Sequence, residues 1–265
     1  MSGMLALIAG QGLLPRTLVN ALGTPPLVCA LQGFEPDEVT PDIVFRLETL
    51  GSFLTDLTSR GVTDVCFAGG IRRPVIDPTA IDAATIPLVP VLQKALQSGD
   101  DSALRAVIGL FEAQNLHVTA AHEIVPALLP QTGVLTRAQP GEQHERDAAR
   151  GGDVVRAMAV ADIGQACVIA NGQALAVEGT FGTDWMLSSL QNRPPHPKGG
   201  LLYKAPKPGQ DRRADLPVIG QSTIDGVARA GLSGLVIEQG GVMVLERDAV
   251  VRACDAAGLF LWVRD

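Results

Sequence analysis

Residues 4–15 read MLALIAGQGLLP: six apolar residues, two glycines flanking a glutamine, then Leu-Leu-Pro. A short unbroken apolar run bounded by turn residues marks a strand covered on both faces, so Met4–Ala9 is predicted to be a buried parallel strand. Gly10, Gln11 and Gly12 then form a tight turn. Pro15 lacks an N–H that the first helical turn does not use, so it opens a helix continuing over residues 16–22. Strand, glycine turn and helix are the first step of an open α/β sheet. The glycines allow a ligand to approach the backbone, and the helix start offers N–H groups to phosphate; the same turn also serves as a bare connection. The dinucleotide fingerprint is incomplete. Pro15 replaces its third glycine, and Gln32 stands about twenty residues on, where a ribose-binding acid belongs. A nucleotide-like ligand is favoured over NAD, and an NAD-dependent oxidoreductase is the weakest reading.

Outward from this stretch, the first half repeats the same grammar. Strands are predicted over residues 27–31, 62–68 and 117–121, and helices over 47–60, 89–97, 102–114 and 123–129. In the first of these helices Leu47, Leu50, Leu54 and Leu57 recur at helical spacing. The expectation is a Rossmann-like domain over residues 1–132. The second half differs. Asn171 and Gly172 between apolar runs 165–170 and 173–178 are a hairpin signal. Further strands are expected over 200–205, 234–238, 242–245 and 259–263, with helices over 224–230 and 247–257. A loop and an entering helix occupy residues 130–150, so residues 133–265 are read as a second, mixed α/β domain.

Composition narrows the function classes. Of 265 residues, 46% are hydrophobic and 18% charged, which gives a core-forming chain rather than a disordered one. A net charge of −7 argues against a broad basic nucleic-acid surface, although local clusters can still bind anions. No apolar run reaches the roughly 20 residues of a membrane helix, and the N-terminus has no basic leader region, so a cytoplasmic location is expected. Cys29, Cys66, Cys167 and Cys254 include no CxxC pair and sit among apolar neighbours, so they read as buried thiols.

Several clusters could carry chemistry. Gly69, Gly70, Ile71, Arg72, Arg73 and Pro74 follow a strand, and their guanidinium groups could fork onto phosphate. Asp100 and Asp101 suit helix capping or a metal, with capping preferred. His122 and Glu123 are a catalytic pair or simply a helix start with an acidic first turn. Residues 178–184, EGTFGTD, end a strand with two hydroxyls and two carboxylates. Residues 204–217, KAPKPGQDRRADLP, place six charges within twelve residues, and Thr223 and Asp225 follow near a helix start. Lysine and arginine neutralise phosphate oxygens, carboxylates hold a hard cation such as Mg2+, and one carboxylate can orient or deprotonate water. Together these groups fit pyrophosphate chemistry; a non-catalytic nucleotide-sugar binding or carrier protein is the alternative.

The blocks AGQGLLP, GGIRRP, GDDSALR, AHEIVPALL, GVLT, DIGQACVI, EGTFGTDWML, KAPKPGQDRRADLP and AGLSGLVIE, in this order, resemble the LpxI-type UDP-2,3-diacylglucosamine pyrophosphatases of lipid A biosynthesis. These are the type that is not a calcineurin-like metallophosphoesterase. The resemblance implies Mg2+-dependent cleavage of UDP-2,3-diacylglucosamine to UMP and 2,3-diacylglucosamine 1-phosphate, with water attacking the sugar-side phosphorus in a cleft between two domains. It implies Asp225 as the carboxylate essential to hydrolysis, binding the metal or positioning water, with Lys207 and Asp211 beside it as catalytic residues. It assigns substrate binding to Gly10, Gln11, Gly12, Arg72, Thr183, Asp184, Gln210, Asp215 and Thr223, and Asp184 joins Asp225 as a metal ligand. The acyl chains need an apolar groove; Met186, Leu187 and Leu190 lie nearby but read as core. Residues 193–198 form a proline-rich, insertion-like stretch. Homo-oligomerisation and contact with a membrane surface are compatible with this resemblance.

Overall fold

The structure, a computed structural model, describes residues 3–72, 74–97, 100–192 and 199–265. Arg73, residues 193–198 and the side chains of Asp100 and Asp101 therefore lie outside the described residues. The chain forms two compact units, and the division is not contiguous. One holds Met1–Pro126 together with Asp211–Asp215, and the other holds Ala127–Gln210 and Leu216–Asp265.

The first unit is a Rossmann-like α/β layer structure. Its elements are β1 (Met4–Ala9), α1 (Leu14–Ala21), β2 (Leu27–Leu31), β3 (Ile43–Phe45), α2 (Leu50–Ser59), β4 (Val62–Ala68), α3 (Val89–Gln97), α4 (Asp100–Glu112), β5 (His117–Val118) and α5 (Ala121–Ile124). The sheet order is β3-β2-β1-β4-β5, and every neighbouring pair is parallel. Ala6, Leu7, Ile8 and Ala9 are all buried, as a strand covered on both faces requires. The chain runs from β1 out to β3 and returns on the other side of β1 as β4, so the topological switch lies between β1 and β4. Leu50, Leu54 and Leu57 of α2 face the core, and Leu47 packs against it from a preceding 3-10 turn.

Two local expectations are corrected. The strand expected over 117–121 stops at Val118, because Glu123 reaches back to accept the Ala120 N–H at 2.9 Å and starts α5. The helix expected over 123–129 is broken at Pro126; α5 ends at Ile124 and a 3-10 turn, Pro126–Leu128, follows.

Glu48 is a buried carboxylate that accepts from Arg46 Nε at 3.2 Å, Arg46 Nη2 at 3.1 Å and the Asp77 N–H at 2.8 Å. The Arg46 guanidinium, with help from the Asp77 N–H, holds it down to about 2 against the drag of burial. A folded-state value below the unfolded one means that the stabilisation is complete above the ordinary carboxylate range and is lost as pH falls towards 2. Glu48→Gln should therefore cost about 2 kcal/mol at neutral pH, a figure discounted for the half-exposed Arg46 partner. Denaturant titrations of the two proteins should converge near the bottom of that window.

The second unit contains β6 (Gly133–Val134), α6 (Glu142–Val160), β7 (Ala166–Ala170), β8 (Gln173–Val177), α7 (Gly182–Ser189), β9 (Leu201–Lys204), β10 (Val218–Ile219), α8 (Gln221–Arg229), β11 (Gly234–Glu238), β12 (Met243–Val244), α9 (Arg247–Ala257) and β13 (Phe260–Arg264). The main sheet has the order β6-β13-β11-β9-β7-β8. Its β9, β11 and β13 are mutually parallel where they adjoin, and its edges are antiparallel; β10 and β12 form a separate parallel pair. Strand alternation makes two cores. Val168, Leu202, Leu235, Ile237 and Leu261 face Met186, Leu187, Ile224, Val227, Val250 and Cys254 from α7, α8 and α9. Ile169, Leu201, Tyr203, Val236 and Phe260 face Ala148, Val155 and Met158 from α6.

The Asn-Gly hairpin forms as expected, with Asn171 at φ 51° and Gly172 at φ 78°. Asp147 of α6, 1% exposed, accepts both turn amides, from Asn171 at 3.0 Å and Gly172 at 2.7 Å, and also Gln143 Nε2 at 2.9 Å. Asp147→Ala removes three charge-assisted hydrogen bonds and should lower unfolding stability by about 3 kcal/mol, read as a fall in Tm. The four cysteines are free and buried, and burial raises each thiol to about 12, as inert core residues require.

Candidate active site

At the carboxyl edge of the first sheet the two glycine turns are tied to each other. Gln11 donates its N–H to Gly70 O at 3.0 Å and Gly70 donates to Gln11 O at 2.8 Å, an antiparallel bridge across the switch point. A Cβ on Gly10 would lie 2.6 Å from Gly70 O, and one on Gly69 equally close to Gly10 O. Glycine is thus required here for the approach of turn to turn. Gly10 N–H goes to Ala68 O at 2.8 Å, and Gly12 N–H goes to the Asp37 carboxylate at 2.9 Å. The amides of Gly10, Gln11 and Gly12, expected to be open to phosphate, all have partners inside the unit. Arg72 is exposed just beyond this bridge.

The charged loop divides. Asp211–Asp215 packs as part of the first unit. Arg213 binds both oxygens of Asp211 (Nε to Oδ1 at 3.0 Å, Nη2 to Oδ2 at 2.7 Å) and reaches Glu112 at 2.5 Å, while Ala214 rests on the core. The Arg213 guanidinium holds the Asp211 carboxyl below its ordinary range. Such a carboxylate is a weak base, and Arg213 engages both of its oxygens. Asp215 is half-buried, and its N–H closes onto Asp211 O.

In the second unit, Lys207 pairs with the Asp162 carboxylate, and its N–H donates to Gln210 Oε1 at 3.0 Å. The Gln210 side chain, 8% exposed, therefore closes its own turn. Asp184 and Asp225 are exposed near the starts of α7 and α8. These helices pack closely: a Cβ on Gly226 would meet Leu187 Cδ1 at 2.9 Å. Thr223 is buried and accepts the Gly220 N–H at 3.4 Å as the α8 cap. Thr183 is buried too, and its hydroxyl is already committed.

That commitment exposes a pairing that sequence reading did not assign. Lys204, 5% exposed at the end of β9, donates to Thr183 Oγ1 at 2.9 Å and to Val218 O at 3.1 Å. Thr183 in turn donates to Glu178 Oε1 at 2.7 Å, and Gln165 N–H donates to Glu178 Oε2 at 3.1 Å. Glu178 is 7% exposed. A buried ammonium and a buried carboxylate are thus bridged by one hydroxyl in the first turn of α7, one residue before Asp184. Val218 lies in β10, two residues before the α8 cap Gly220, so the same ammonium also ties down the approach to α8. The signal was positional: Lys204 shares the face of Leu202, an apolar core face, where a charge needs a partner. On the opposite flank of α7, Phe181 and Trp185 are exposed with ring centroids 5.3 Å apart, whereas Met186, Leu187 and Leu190 are core.

Among the described residues no three His, Cys, Asp or Glu side chains gather into a metal cage. Mg2+ typically keeps several waters and takes one or two carboxylates plus substrate phosphate oxygens. Asp184 and Asp225 are exposed carboxylates on adjoining helices. No helix among the described residues is long and apolar enough to cross a membrane.

Comparison with known proteins accounts for both units. Residues 4–128 match the LpxI N-terminal domain family and residues 131–262 the LpxI C-terminal domain family. The chain is 37% identical over 268 residues to the UDP-2,3-diacylglucosamine pyrophosphatase LpxI of Caulobacter vibrioides, covering 97% of this chain and 96% of that protein. The chain belongs to the LpxI family.

Proposed function

We propose that this chain hydrolyses the pyrophosphate of UDP-2,3-diacylglucosamine, releasing UMP and 2,3-diacylglucosamine 1-phosphate in lipid A biosynthesis, with Mg2+ as cofactor. The observation that carries this is similarity, over 97% of this chain and both of its family domains, to a relative bearing that activity in its name. A water oxygen bonds to the sugar-side phosphorus, the bridging oxygen leaves with UMP, and one proton is released. Mg2+, when bound, supplies charge neutralisation on the diphosphate oxygens.

The chain's own residues divide the work. Asp225, exposed on α8, orients the attacking water and takes its proton. Asp184 adds a second carboxylate at the start of α7. Lys204 acts as a positioning residue: through Thr183 and Glu178 it fixes the turn that carries Asp184. Thr183, Gln210 and Asp211 contribute by holding backbone, since their polar groups are engaged within the chain. Phe181 and Trp185 offer exposed apolar surface beside Asp184 for the acyl chains. Purified protein should release UMP from the diacylated UDP-sugar with Mg2+ and stop when EDTA is added. Tight binding without product would replace the hydrolase with a carrier.

A further inference from the structure

His122 stands at the carboxyl edge of the first sheet, just after β5 and beside the strand that leads into the Gly69 turn. Its ring is half-buried, and Nδ1 is fully buried with no hydrogen-bond partner among the described residues. A neutral imidazole carries one proton. On Nδ1 that proton would be an unsatisfied buried donor; on Nε2 it lies on the opposite side of the ring. The environment keeps the ring neutral: burial is the largest influence and Arg212 acts with it, while Glu123 opposes them. Glu123 is itself committed to the Ala120 N–H. Both influences favour a neutral ring with its donor on Nε2.

Arg212 reaches this neighbourhood because Asp211–Asp215 packs into the first unit, pinned by the bonds from Arg213 to Asp211 and Glu112 and by Ala214 on the core. The Arg212 side chain is exposed and close enough to His122 for its charge to oppose protonation. A neutral N–H donor within range of a guanidinium's charge, at the carboxyl edge of an open parallel sheet, matches a doubly accepting anion.

We propose that His122 Nε2–H and Arg212 form a phosphate-binding pair in the first unit that takes the phosphate of a uridine nucleotide. This rests on the hydrolase reading for the identity of the nucleotide and adds a subsite to it. The chain has four histidines, so 15N-histidine labelling resolves the ring directly, with His122→Gln giving the assignment. The expected result is an Nε2–H tautomer for His122 at neutral pH and a shift of that ring's signals on titrating UMP into wild-type protein. Both His122→Leu and Arg212→Met should weaken UMP binding by about tenfold or more, and His122→Gln, which keeps a side-chain N–H donor, by less. An Nδ1–H tautomer, or a UMP titration that leaves His122 signals unmoved, overturns the pair, and this holds even if His122→Leu fails to fold. Wild-type turnover, measured in parallel, separates the outcomes: turnover with an unmoved His122 removes the subsite and leaves the hydrolase reading standing. Absent turnover with a shifted His122 does the reverse.

Discussion

Asp225→Asn should reduce kcat by about 10²–10⁴-fold while leaving the affinity for UDP-2,3-diacylglucosamine nearly unchanged. The side chain is exposed on α8, and its neighbours Ile224 and Val227 provide the packing, so removing a charge there leaves no buried group unpaired. Asparagine keeps the size and loses the basic oxygen. If the carboxylate takes the proton from water, the loss falls on the chemical step, and the variant should accumulate as a stable complex with intact substrate. Full residual turnover, or a variant with collapsed thermal stability, would remove Asp225 from that role.

Lys204→Met has the second largest expected effect, and it falls on stability and activity together. The substitution keeps length and apolar stem but leaves buried Glu178, among the described residues, with Thr183 and the Gln165 amide as its partners. Removing one partner from a buried charged network typically costs about 3–5 kcal/mol, because the remaining charge stays desolvated. Replacing both, with Lys204→Met and Glu178→Gln, should recover most of that stability, since no unpaired charge remains. Turnover should stay low in the double variant, because the hydroxyl of Thr183 is no longer held from both sides and the turn carrying Asp184 loosens. A double variant that regains stability and full kcat would show that the network serves folding alone.

Much of the fold could be read from sequence because the physics was local. Apolar runs closed by glycine marked β1 and β2 at the bounds observed, the apolar-rich stretch before Gly69 and Gly70 marked β4, and Asn171 with Gly172 marked the hairpin. The failures have local causes too. Three-residue β3 is too short to carry a periodic signal, and α7 begins at Gly182 with φ 80°, a residue that reads as a loop until Met186 and Leu187 are seen buried behind it. The site was less legible. Charge density drew the eye to residues 204–215, but most of those charges neutralise one another or a neighbour: Asp211 with Arg213, Arg213 with Glu112, Lys207 with Asp162. Nor does composition reveal that Asp211–Asp215 packs with the first unit, because that depends on long-range contacts such as Arg213 to Glu112. Lys204 and Glu178 were visible as letters but not as a pair, since they meet only through Thr183.

The most direct measurement is to incubate purified protein with UDP-2,3-diacylglucosamine and Mg2+ in 18O-labelled water and to analyse both products by mass spectrometry. Attack at the sugar-side phosphorus predicts equal amounts of UMP and 2,3-diacylglucosamine 1-phosphate, with the label in the sugar phosphate alone. Label in UMP would contradict the direction of attack, and intact substrate after prolonged incubation would contradict hydrolysis itself.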